Sequence, residues 1–242
     1  MSIFSKTYNL VKSNFFNDFI EMHCHLLPGV DDGVQTINES LKILQNYENL
    51  GIKKVWLTPH VMEDIPNTTE GLKNRFEELK NTYKGNIKLF LSAEYMLDNL
   101  FVNRIDNNDL LAMGKKRNYL LVETSYFNPP IYLYEKLEDI KNKGYFPILA
   151  HTERYLYMNK KQYHKLKEMG ILFQLNLMSM IGYYGKDAKE KAEYLLKNSF
   201  YDVSGTDIHY IKALEKIKKI SLTKKQLTEI FRLKKHTHML KI

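Results

Sequence analysis

The stretch Ile20-Glu21-Met22-His23-Cys24-His25 ends the first apolar run of the chain, and L-L-P-G-V-D-D-G follows directly at 26–33. Side chains on a β-strand alternate between its two faces, so His23 and His25 point to the same face. Imidazole is the commonest metal ligand in proteins near neutral pH. Two adjacent imidazoles, with the carboxylate of Asp32 seven residues further on, predict one edge of a metal cluster. The alternative is a strand that carries two histidines and binds no metal.

Length and composition indicate a globular protein with a sizeable core. A length of 242 residues suits one large domain or two small ones. Hydrophobic residues make up 44% of the chain, which is enough for a sizeable core. No linker rich in proline, glycine or serine divides the chain, so we predict an N-terminal extension at 1–18 and a single domain at 19–242. No stretch approaches the ~20 apolar residues of a membrane span, and 1–18 lacks the apolar core of a signal peptide. We therefore expect a cytoplasmic protein with no membrane-inserted segment.

The net charge of +8 favours acidic partners such as phosphorylated molecules, nucleic acid or anionic membrane surfaces. The lysines are scattered, which is typical of a solvated surface rather than of a binding stripe. No alternation of basic and aromatic residues of the RNA-binding kind is visible in the sequence. We therefore do not expect nucleic acid as a partner.

The single cysteine bears on the choice of mechanism. Cys24 has no second cysteine with which to form an internal disulfide. A cysteine-dependent phosphatase would need an arginine six positions further on to hold the phosphate, and that position is Val30. We therefore interpret Cys24 as a small buried residue that alternates between two ligands.

Short apolar runs alternate with longer amphipathic segments along the chain. We predict strands at 19–23, 54–58, 87–93, 119–123, 146–150, 171–175 and 200–204. We predict helices at 37–50, 69–83, 131–143, 160–169, 187–197, 210–219 and 223–235, and a short helix with a loop within 95–116. Strands that alternate with helices are typical of a parallel α/β fold.

Six of the seven predicted strands end in a histidine, an aspartate or a glutamate. These residues, with the aspartate that follows the first strand, are His23, His25, Asp32, His60, Glu94, Glu123, His151, Asp207 and His209. In a parallel barrel the carboxyl ends of the strands converge on one face, where active sites lie. Buried histidines and carboxylates are costly unless they are paired or bind metal. One ion takes three or four protein ligands, so the set predicts two or three metal ions.

Such a metal cluster is typical of hydrolysis. Neighbouring ions lower the pKa of a shared water and neutralise the oxygens of a phosphoryl group during in-line attack. Arg154, three residues after His151, would add a planar pair of donors for the phosphate. The alternative for Arg154 is a structural ion pair with a neighbour such as Glu153.

These motifs resemble the polymerase-and-histidinol-phosphatase (PHP) superfamily. Within it, the chain is most similar to the bacterial manganese-dependent protein tyrosine phosphatases linked to capsular and exopolysaccharide synthesis. The matching segments, in the family's order, are H-C-H-L-L-P-G-V-D-D-G at 23–33, L-T-P-H at 57–60, S-A-E-Y at 92–95, L-L-V-E at 120–123, L-A-H-T-E-R-Y at 149–155 and S-G-T-D-I-H at 204–209. Histidinol phosphatases rarely carry the P-G-x-D-D-G form, so the first segment is the most specific.

The resemblance implies the PHP fold, a distorted (β/α)7 TIM-like barrel, with a site for three divalent ions. Manganese is the ion expected from the resemblance, and mixed nitrogen and oxygen donors also suit iron or zinc. The implied ligand sets are His23, His25, Glu94 and Asp207 for one ion, His60, His151 and Glu94 or Glu123 for a second, and Asp32, Glu123 and His209 for a third or for the substrate. Arg154, Asp207 and His209 are the implied catalytic residues.

Three positions depart from the family's pattern. Glu21 stands where an aspartate is common, and Thr152 stands where a proline usually follows the histidine. Close relatives often carry an arginine shortly after the last histidine as a second phosphate contact, and the nearby basic residue here is Lys212. None of these departures removes an implied metal ligand.

The sequence leaves several functions open. The resemblance implies a protein tyrosine phosphatase whose substrate is the tyrosine-rich C-terminal tail of a bacterial tyrosine kinase that controls polysaccharide export. Tyr126 and Phe127 could flank the phosphotyrosine ring, or could simply pack within their loop. The alternatives are a phosphatase of histidinol phosphate or another small molecule, a nuclease using the same metals, and a non-catalytic metal-stabilised module that binds phosphoproteins.

Overall fold

The computed structural model describes residues 6–114 and 117–240, and its fold is mixed α/β with a curled parallel sheet. The strands, in chain order, are β1 (Thr7–Asn9), β2 (Ile20–Glu21), β3 (Lys54–Leu57), β4 (His60–Val61), β5 (Lys88–Leu91), β6 (Glu94–Met96), β7 (Asn118–Glu123), β8 (Tyr145–Leu149), β9 (Leu172–Asn176), β10 (Val203–Gly205) and β11 (Ser221–Thr223). The α-helices are α1 (Ile37–Leu50), α2 (Thr69–Thr82), α3 (Asn99–Asp106), α4 (Leu133–Asn142), α5 (Lys160–Glu168), α6 (Lys186–Lys197), α7 (Ile211–Lys218) and α8 (Lys224–Met239). Among the described residues, no helix has the length and apolarity that a membrane crossing requires.

The parallel strands follow the order of the chain. Strands β2, β3 and β5 form one sheet, and β4, β6, β7, β8, β9 and β10 form a second. Only Thr58 and Pro59 separate β3 from β4, and only Ser92 and Ala93 separate β5 from β6. The predicted strands 54–58 and 87–93 thus correspond to β3 and β5. After each of them the chain passes into the second sheet as β4 or β6, beyond the predicted bounds.

The curl of the sheet brings its first and last parallel strands together. Cys24, after β2, forms a parallel bridge with Ile208, after β10. The His25 amide donates to the Ile208 carbonyl over 2.9 Å, and the Asp207 amide donates to the His23 carbonyl over 2.8 Å. Gly205 permits this approach, because a Cβ atom there would lie 2.7 Å from the Cβ of His23. The two ends of the sheet thus place their histidines and aspartate next to each other.

The helices begin and end close to where the sequence predicts them. Helix α1 has the predicted bounds, with Thr36 accepting a hydrogen bond from the Glu39 amide at its start and Gly51 in the left-handed region at its end. Helix α8 begins after the predicted cap Thr223 but continues to Met239, four residues beyond the predicted end. The region 95–116 contains the short helix α3, as predicted.

Two groups of buried apolar residues stabilise the fold. The larger lies between the sheets and the helices and includes Leu44, Leu57 and Phe173. The smaller comes mainly from the opposite faces of the strands and consists of Ile20, Met22, Trp56, Met113, Tyr119, Leu121, Ile148, Ala150 and Val203. Strands β3, β7, β9 and β10 are buried on both faces over most of their length, which is the usual state of strands in a parallel sheet.

The N-terminal segment packs against the C-terminal segment. Strand β1 pairs with β11 in antiparallel register, and Phe15, Phe16 and Phe19 form an aromatic cluster. Phe15 also contacts Phe231 of α8 with ring centroids 5.5 Å apart. Neither β1 nor β11 was predicted from the sequence, since their pairing depends on residues more than 200 positions apart. The predicted domain boundary between 18 and 19 stays a prediction.

We expect Phe15→Ala to lower the free energy of unfolding by about 3–5 kcal/mol, because it removes a fully buried ring and leaves a cavity. Urea unfolding followed by circular dichroism measures the change. Val102→Ala is the control, since Val102 is 38% exposed on α3 and its truncation should change stability by about 0.5 kcal/mol. Equal losses in the two variants would contradict a structural role for the N-terminal segment.

Candidate metal centre

The predicted ligands lie together at the carboxyl ends of the parallel strands. His23 and His25 follow β2, Glu123 ends β7, and His151 follows β8. His60 and Glu94 lie three residues past the carboxyl ends of β3 and β5, where β4 and β6 begin, and they are directly opposite each other in the sheet register. Most of these side chains are fully buried, although Asp32 is 67% exposed. The topology therefore concentrates histidines and carboxylates in one small volume.

The first group consists of His23, His25, Glu94 and Asp207. The Nε2 atoms of His23 and His25 lie 3.0 and 3.3 Å from Glu94 Oε2. Each also lies 3.3 Å from Asp207 Oδ1. Two imidazole nitrogens and two carboxylate oxygens are the donor set that zinc, manganese and iron accept.

The second group consists of His60, Glu94 and Glu123. His60 Nδ1 lies 3.2 Å from Glu94 Oε2 and 3.0 Å from Glu123 Oε1. His151 joins its edge, with Nε2 at 3.0 Å from Glu94 Oε1 and 3.7 Å from Glu123 Oε2. Glu94 therefore belongs to both groups, as a bridging carboxylate would.

The third group consists of His25, Asp32, His60 and His209. Asp32 Oδ1 lies 3.5 Å from the Nε2 atoms of both His60 and His209. The structure thus brings Asp32 and His209 together, as the implied third set requires, but places Glu123 with His60 and Glu94 instead.

The donor set fits divalent cations on two observations. Four buried side-chain atoms of this centre, His60 Nδ1, Glu94 Oε1, Glu123 Oε1 and His151 Nδ1, have no hydrogen-bond partner among the described residues. His60 Nδ1 and Glu123 Oε1 lie 3.0 Å apart, yet neither has a hydrogen-bond partner within the described ranges of the chain. Unpaired buried polar atoms of this kind call for an ion or water.

Electrostatics in the centre favours positive charge. Burial alone lowers the pKa of the His23 imidazole, but the carboxylates of Glu94 and Asp207 outweigh burial and raise that pKa to about 9. Burial raises the pKa of Asp207, but the charge on His23 and the contacts with the neighbouring histidines together outweigh burial and hold that pKa well below its usual range. Protons and metal cations compete for the same nitrogen lone pairs, so the site attracts either one.

Hydrogen bonds behind the histidines fix their orientation. His25 Nδ1 lies 2.8 Å from Asp31 Oδ2, which also accepts the His60 amide at 3.0 Å. His23 Nδ1 lies 3.2 Å from Gln174 Oε1, and that oxygen also accepts the His151 amide at 2.7 Å. An acceptor at Nδ1 holds the hydrogen there, which leaves Nε2 with its lone pair toward the centre. Asp32 is the ligand predicted from the sequence, and this role of the adjacent Asp31 was not predicted.

Glu21, one of the departures from the family's pattern, lies beneath the centre. Its carboxylate accepts hydrogen bonds from the amides of His23 and Thr206 and from the hydroxyl of Tyr47. Burial raises the pKa of Glu21. Glu21 therefore links the first and last parallel strands, and it contacts the backbone of the ligands rather than their side chains.

Two of the predicted ligands adopt strained backbone conformations. His151 has φ 31° and Asp207 has φ 53°, in the left-handed region that residues other than glycine seldom adopt. Such conformations persist where surrounding contacts impose them, and they cluster at functional sites. The strain turns both side chains toward the centre immediately after β8 and β10.

Arg154 is held between two aromatic rings beside the centre. Its guanidinium lies 4.4 Å from the ring centroid of Tyr126 and 4.0 Å from that of Tyr184. Its Nη1 donates to Asp207 Oδ2 over 2.8 Å. Glu153 is not its partner, because Glu153 accepts from the hydroxyls of Ser179 and Tyr201 on the other side. The structural ion pair between Arg154 and Glu153 considered above is therefore absent.

A cleft of about 500 Å³ leads to the centre. Its lining includes Arg154, His209 and the tyrosines 126, 183, 184 and 210. Tyr126 is thus in the cleft, whereas Phe127 is 69% exposed outside it. Lys212 is exposed and is not among the described residues that line the cleft. The sequence did not predict three of these tyrosines, Tyr183, Tyr184 and Tyr210, as site residues, because nothing in it distinguishes them from the other tyrosines of the chain.

Cys24 is buried between the two histidines, as interpreted from the sequence. Its thiol donates to the Trp56 carbonyl over 3.3 Å, and burial raises the thiol's pKa well above its ordinary value. A thiol in that state is a poor nucleophile.

Parallel α/β folds that gather histidines and carboxylates at their strand ends are typical of metal-dependent hydrolases. Residues 19–231 match the family described as capsular polysaccharide synthesis, CpsB/CapC, and the chain belongs to that family.

Two relatives and a solved structure to which the chain is similar are named as tyrosine phosphatases. Tyrosine-protein phosphatase YwqE of Bacillus subtilis is 26% identical over 199 residues, covering 80% of this chain and 78% of YwqE. Tyrosine-protein phosphatase CpsB of Streptococcus pneumoniae is 27% identical over 203 residues, covering 78% of this chain and 82% of CpsB. A crystal structure from the study of YwqE and CpsB, described as unique metal-dependent tyrosine phosphatases, superimposes with a TM-score of 0.76 at 23% identity, covering 91% and 90% of the two chains.

We expect Asp31→Asn to weaken divalent-metal binding by about 10–100-fold, because His25 loses the carboxylate that orients it. Isothermal titration with Mn²⁺ measures the affinity. Asp64→Asn, an exposed aspartate of the β4–α2 connection, is the control and should leave it unchanged. Identical affinities for Asp31→Asn and the parent protein would show that Asp31 does not orient the ligand.

Proposed function

We propose that this chain is a metal-dependent protein tyrosine phosphatase that removes phosphate from phosphotyrosine in a protein substrate. The carrying observation is the three-part cluster of histidines and carboxylates beside Arg154, at the base of a tyrosine-lined cleft. Membership of the CpsB/CapC family and the names of YwqE and CpsB support the same activity.

We also propose that the curled sheet is the (β/α)7 barrel of the PHP fold. Counting β3 with β4 and β5 with β6, seven parallel strands follow one another in chain order, each followed by a helix. The bridge between Cys24 and Ile208 links the first of these strands to the last. The smaller apolar group, which includes Trp56 and Leu121, would fill the interior of such a barrel.

The centre would hold two or three divalent ions, with Mn²⁺ the first choice and Fe or Zn as alternatives. The ligands would be His23, His25, Asp32, His60, Glu94, Glu123, His151, Asp207 and His209. Bound ions would supply Lewis acidity toward the phosphoryl oxygens and would lower the pKa of water for the attack on phosphorus. Glu94, shared by two groups, would keep neighbouring ions close together.

Arg154, Asp207 and His209 would act on the substrate side of the centre. Arg154 would bind two phosphoryl oxygens with its planar donors, and the rings of Tyr126 and Tyr184 would keep the guanidinium in place. Asp207 would orient Arg154 through one carboxylate oxygen and ligate through the other. His209, half-buried in the cleft wall, would offer its imidazole beside Asp32 at the substrate end.

The tyrosines of the cleft favour an aryl phosphate over a small alkyl phosphate. Tyr126 and Tyr184 flank the guanidinium, while Tyr183 and Tyr210 approach each other through their hydroxyls at the rim. Aromatic rings pack favourably against one another in offset or edge-to-face arrangements. We propose as partner the tyrosine-rich tail of a bacterial tyrosine kinase that acts in capsule or exopolysaccharide synthesis.

Phosphate release from a phosphotyrosine peptide and from histidinol phosphate, each with Mn²⁺ and with excess chelator, tests the proposal. We expect release from the peptide, its loss with chelator and its recovery when Mn²⁺ is returned. Faster release from histidinol phosphate would keep the metal centre but replace the substrate. No release from either by protein shown to contain metal would overturn the assignment as a phosphatase.

We expect Arg154→Lys to lower kcat/KM for a phosphotyrosine peptide on the order of 100-fold, because an ammonium group offers neither the paired donors nor the stacking of a guanidinium. The metal content should stay that of the parent protein, since the arginine contacts only one ligand. Steady-state kinetics together with metal analysis measures both quantities. The control is Arg232→Lys on the exposed face of α8, which should change neither. Unchanged kinetics in Arg154→Lys would remove Arg154 from the phosphate site.

A further inference from the structure

A second cavity opens beside the catalytic cleft. Its volume is about 310 Å³, and it shares Tyr126, Arg154 and Tyr184 with the cleft. Phe127 and Leu156 complete its walls together with the first turn of α6. We name it the flanking cavity. Arg154, held between the rings of Tyr126 and Tyr184, separates it from the cleft.

The flanking cavity has an apolar mouth. Phe127 is 69% exposed and Leu156 is 55% exposed, and both line this one cavity, where Ala188 is buried. Large exposed apolar side chains that gather at a concavity mark binding sites more often than scattered ones do.

Hydrogen bonds hold the walls of the flanking cavity in place. The Leu156 amide donates to the Tyr126 carbonyl over 2.8 Å, which ties the loop after β8 to the loop after β7. Lys191 of α6 donates through Nζ to the Tyr155 carbonyl over 2.9 Å. The three segments that form the cavity are therefore connected, so a ligand would meet a largely preformed surface.

The charges at the rim are already compensated. Asp187 lies 2.7 Å from Lys191, and Lys186 lies 3.6 Å from Glu190. Every charge in the lining of the flanking cavity, including that of the shared Arg154, which pairs with Asp207, has a counter-ion among the described residues. This balance favours an uncharged occupant.

We propose that the flanking cavity binds a large apolar side chain, aromatic or aliphatic, that neighbours the phosphotyrosine in the substrate chain. The inference rests on the proposed phosphatase function, because it assumes that the phosphotyrosine fills the adjoining cleft. Consecutive residues of an extended peptide lie about 3.8 Å apart at their Cα atoms, so a neighbour of the phosphotyrosine reaches across the shared wall. The cavity would thus select the sequence around the phosphotyrosine.

Two kinds of substrate separate this inference from the function on which it rests. One is p-nitrophenyl phosphate, which occupies only the cleft. The other is a set of phosphotyrosine peptides. Each peptide carries a single Leu or Phe at one of the two positions before or the two positions after the phosphotyrosine, with Ala at the other neighbouring positions. A peptide with Ala at all of these positions is the parent. With Mn²⁺-loaded protein we expect one placement of Leu or Phe to raise kcat/KM about tenfold over the all-Ala peptide.

The variant Phe127→Ser/Leu156→Ser should abolish this preference. Both side chains are exposed, so the substitutions should leave folding and the rate with p-nitrophenyl phosphate unchanged. Met239→Ser, which removes a 62% exposed apolar side chain at the end of α8, is the matched control and should keep the preference. Isothermal titration calorimetry gives a readout that is independent of turnover. It uses the same peptides with the phosphotyrosine replaced by the non-hydrolysable residue phosphonomethyl-phenylalanine. The double variant should bind the Leu or Phe peptide no tighter than the all-Ala peptide.

Three results would contradict the inference or the function on which it rests. Equal rates and affinities for every peptide, with normal turnover of p-nitrophenyl phosphate, would overturn the flanking cavity and leave the phosphatase function standing. A preference that survives in Phe127→Ser/Leu156→Ser would place the apolar contact elsewhere and overturn the inference as well. No turnover of any phosphotyrosine substrate would overturn the proposed function, and the inference with it.

Discussion

The centre depends on one buried carboxylate. Glu94 Oε2 lies within 3.0–3.3 Å of nitrogens from His23, His25 and His60, and Oε1 lies 3.0 Å from His151. These four histidines come from three other parts of the chain, and the converging carboxyl ends of the parallel strands bring them to one point. The order of the strands, the register that sets His60 opposite Glu94, and the approach of Gly205 to His23 all serve this convergence.

Such a concentration of polar groups works against folding, and the rest of the molecule offsets it. Unpaired atoms such as Glu123 Oε1 and left-handed residues such as His151 each lower stability by about 1–3 kcal/mol. Apolar groups on both faces of the strands stabilise the sheet around the centre. From behind, the carboxylate of Glu21 and the side-chain oxygen of Gln174 accept hydrogen bonds from the backbone amides of His23 and His151. Cations that bind only the folded protein would stabilise it further.

Local patterns in the sequence predict much of this arrangement, and long-range contacts account for the remainder. Strand periodicity placed His23 and His25 on one face, and the cap at Thr36 placed α1. The two adjacent aspartates differ only in where the loop turns them, so sequence could not show that Asp31 orients His25. From the sequence, Glu153 was the ion-pair partner considered for Arg154, and only the fold shows that Arg154 binds Asp207, 53 positions away. The pairing of β1 with β11 has no local signal at all.

Asp207 joins the two halves of the proposed chemistry. Its Oδ1 lies 3.3 Å from the Nε2 atoms of His23 and His25. Its Oδ2 accepts hydrogen bonds from Arg154 and from the side-chain amide of Asn176. The same side-chain amide also donates to the hydroxyl of Tyr184. A shift of this carboxylate would therefore move the proposed metal ligand and the guanidinium proposed to bind phosphate together. The Tyr126 and Tyr184 rings that restrain the guanidinium also line the flanking cavity. An occupant of that cavity would press on the same rings, so recognition of the substrate sequence and orientation of the phosphate would share one set of contacts.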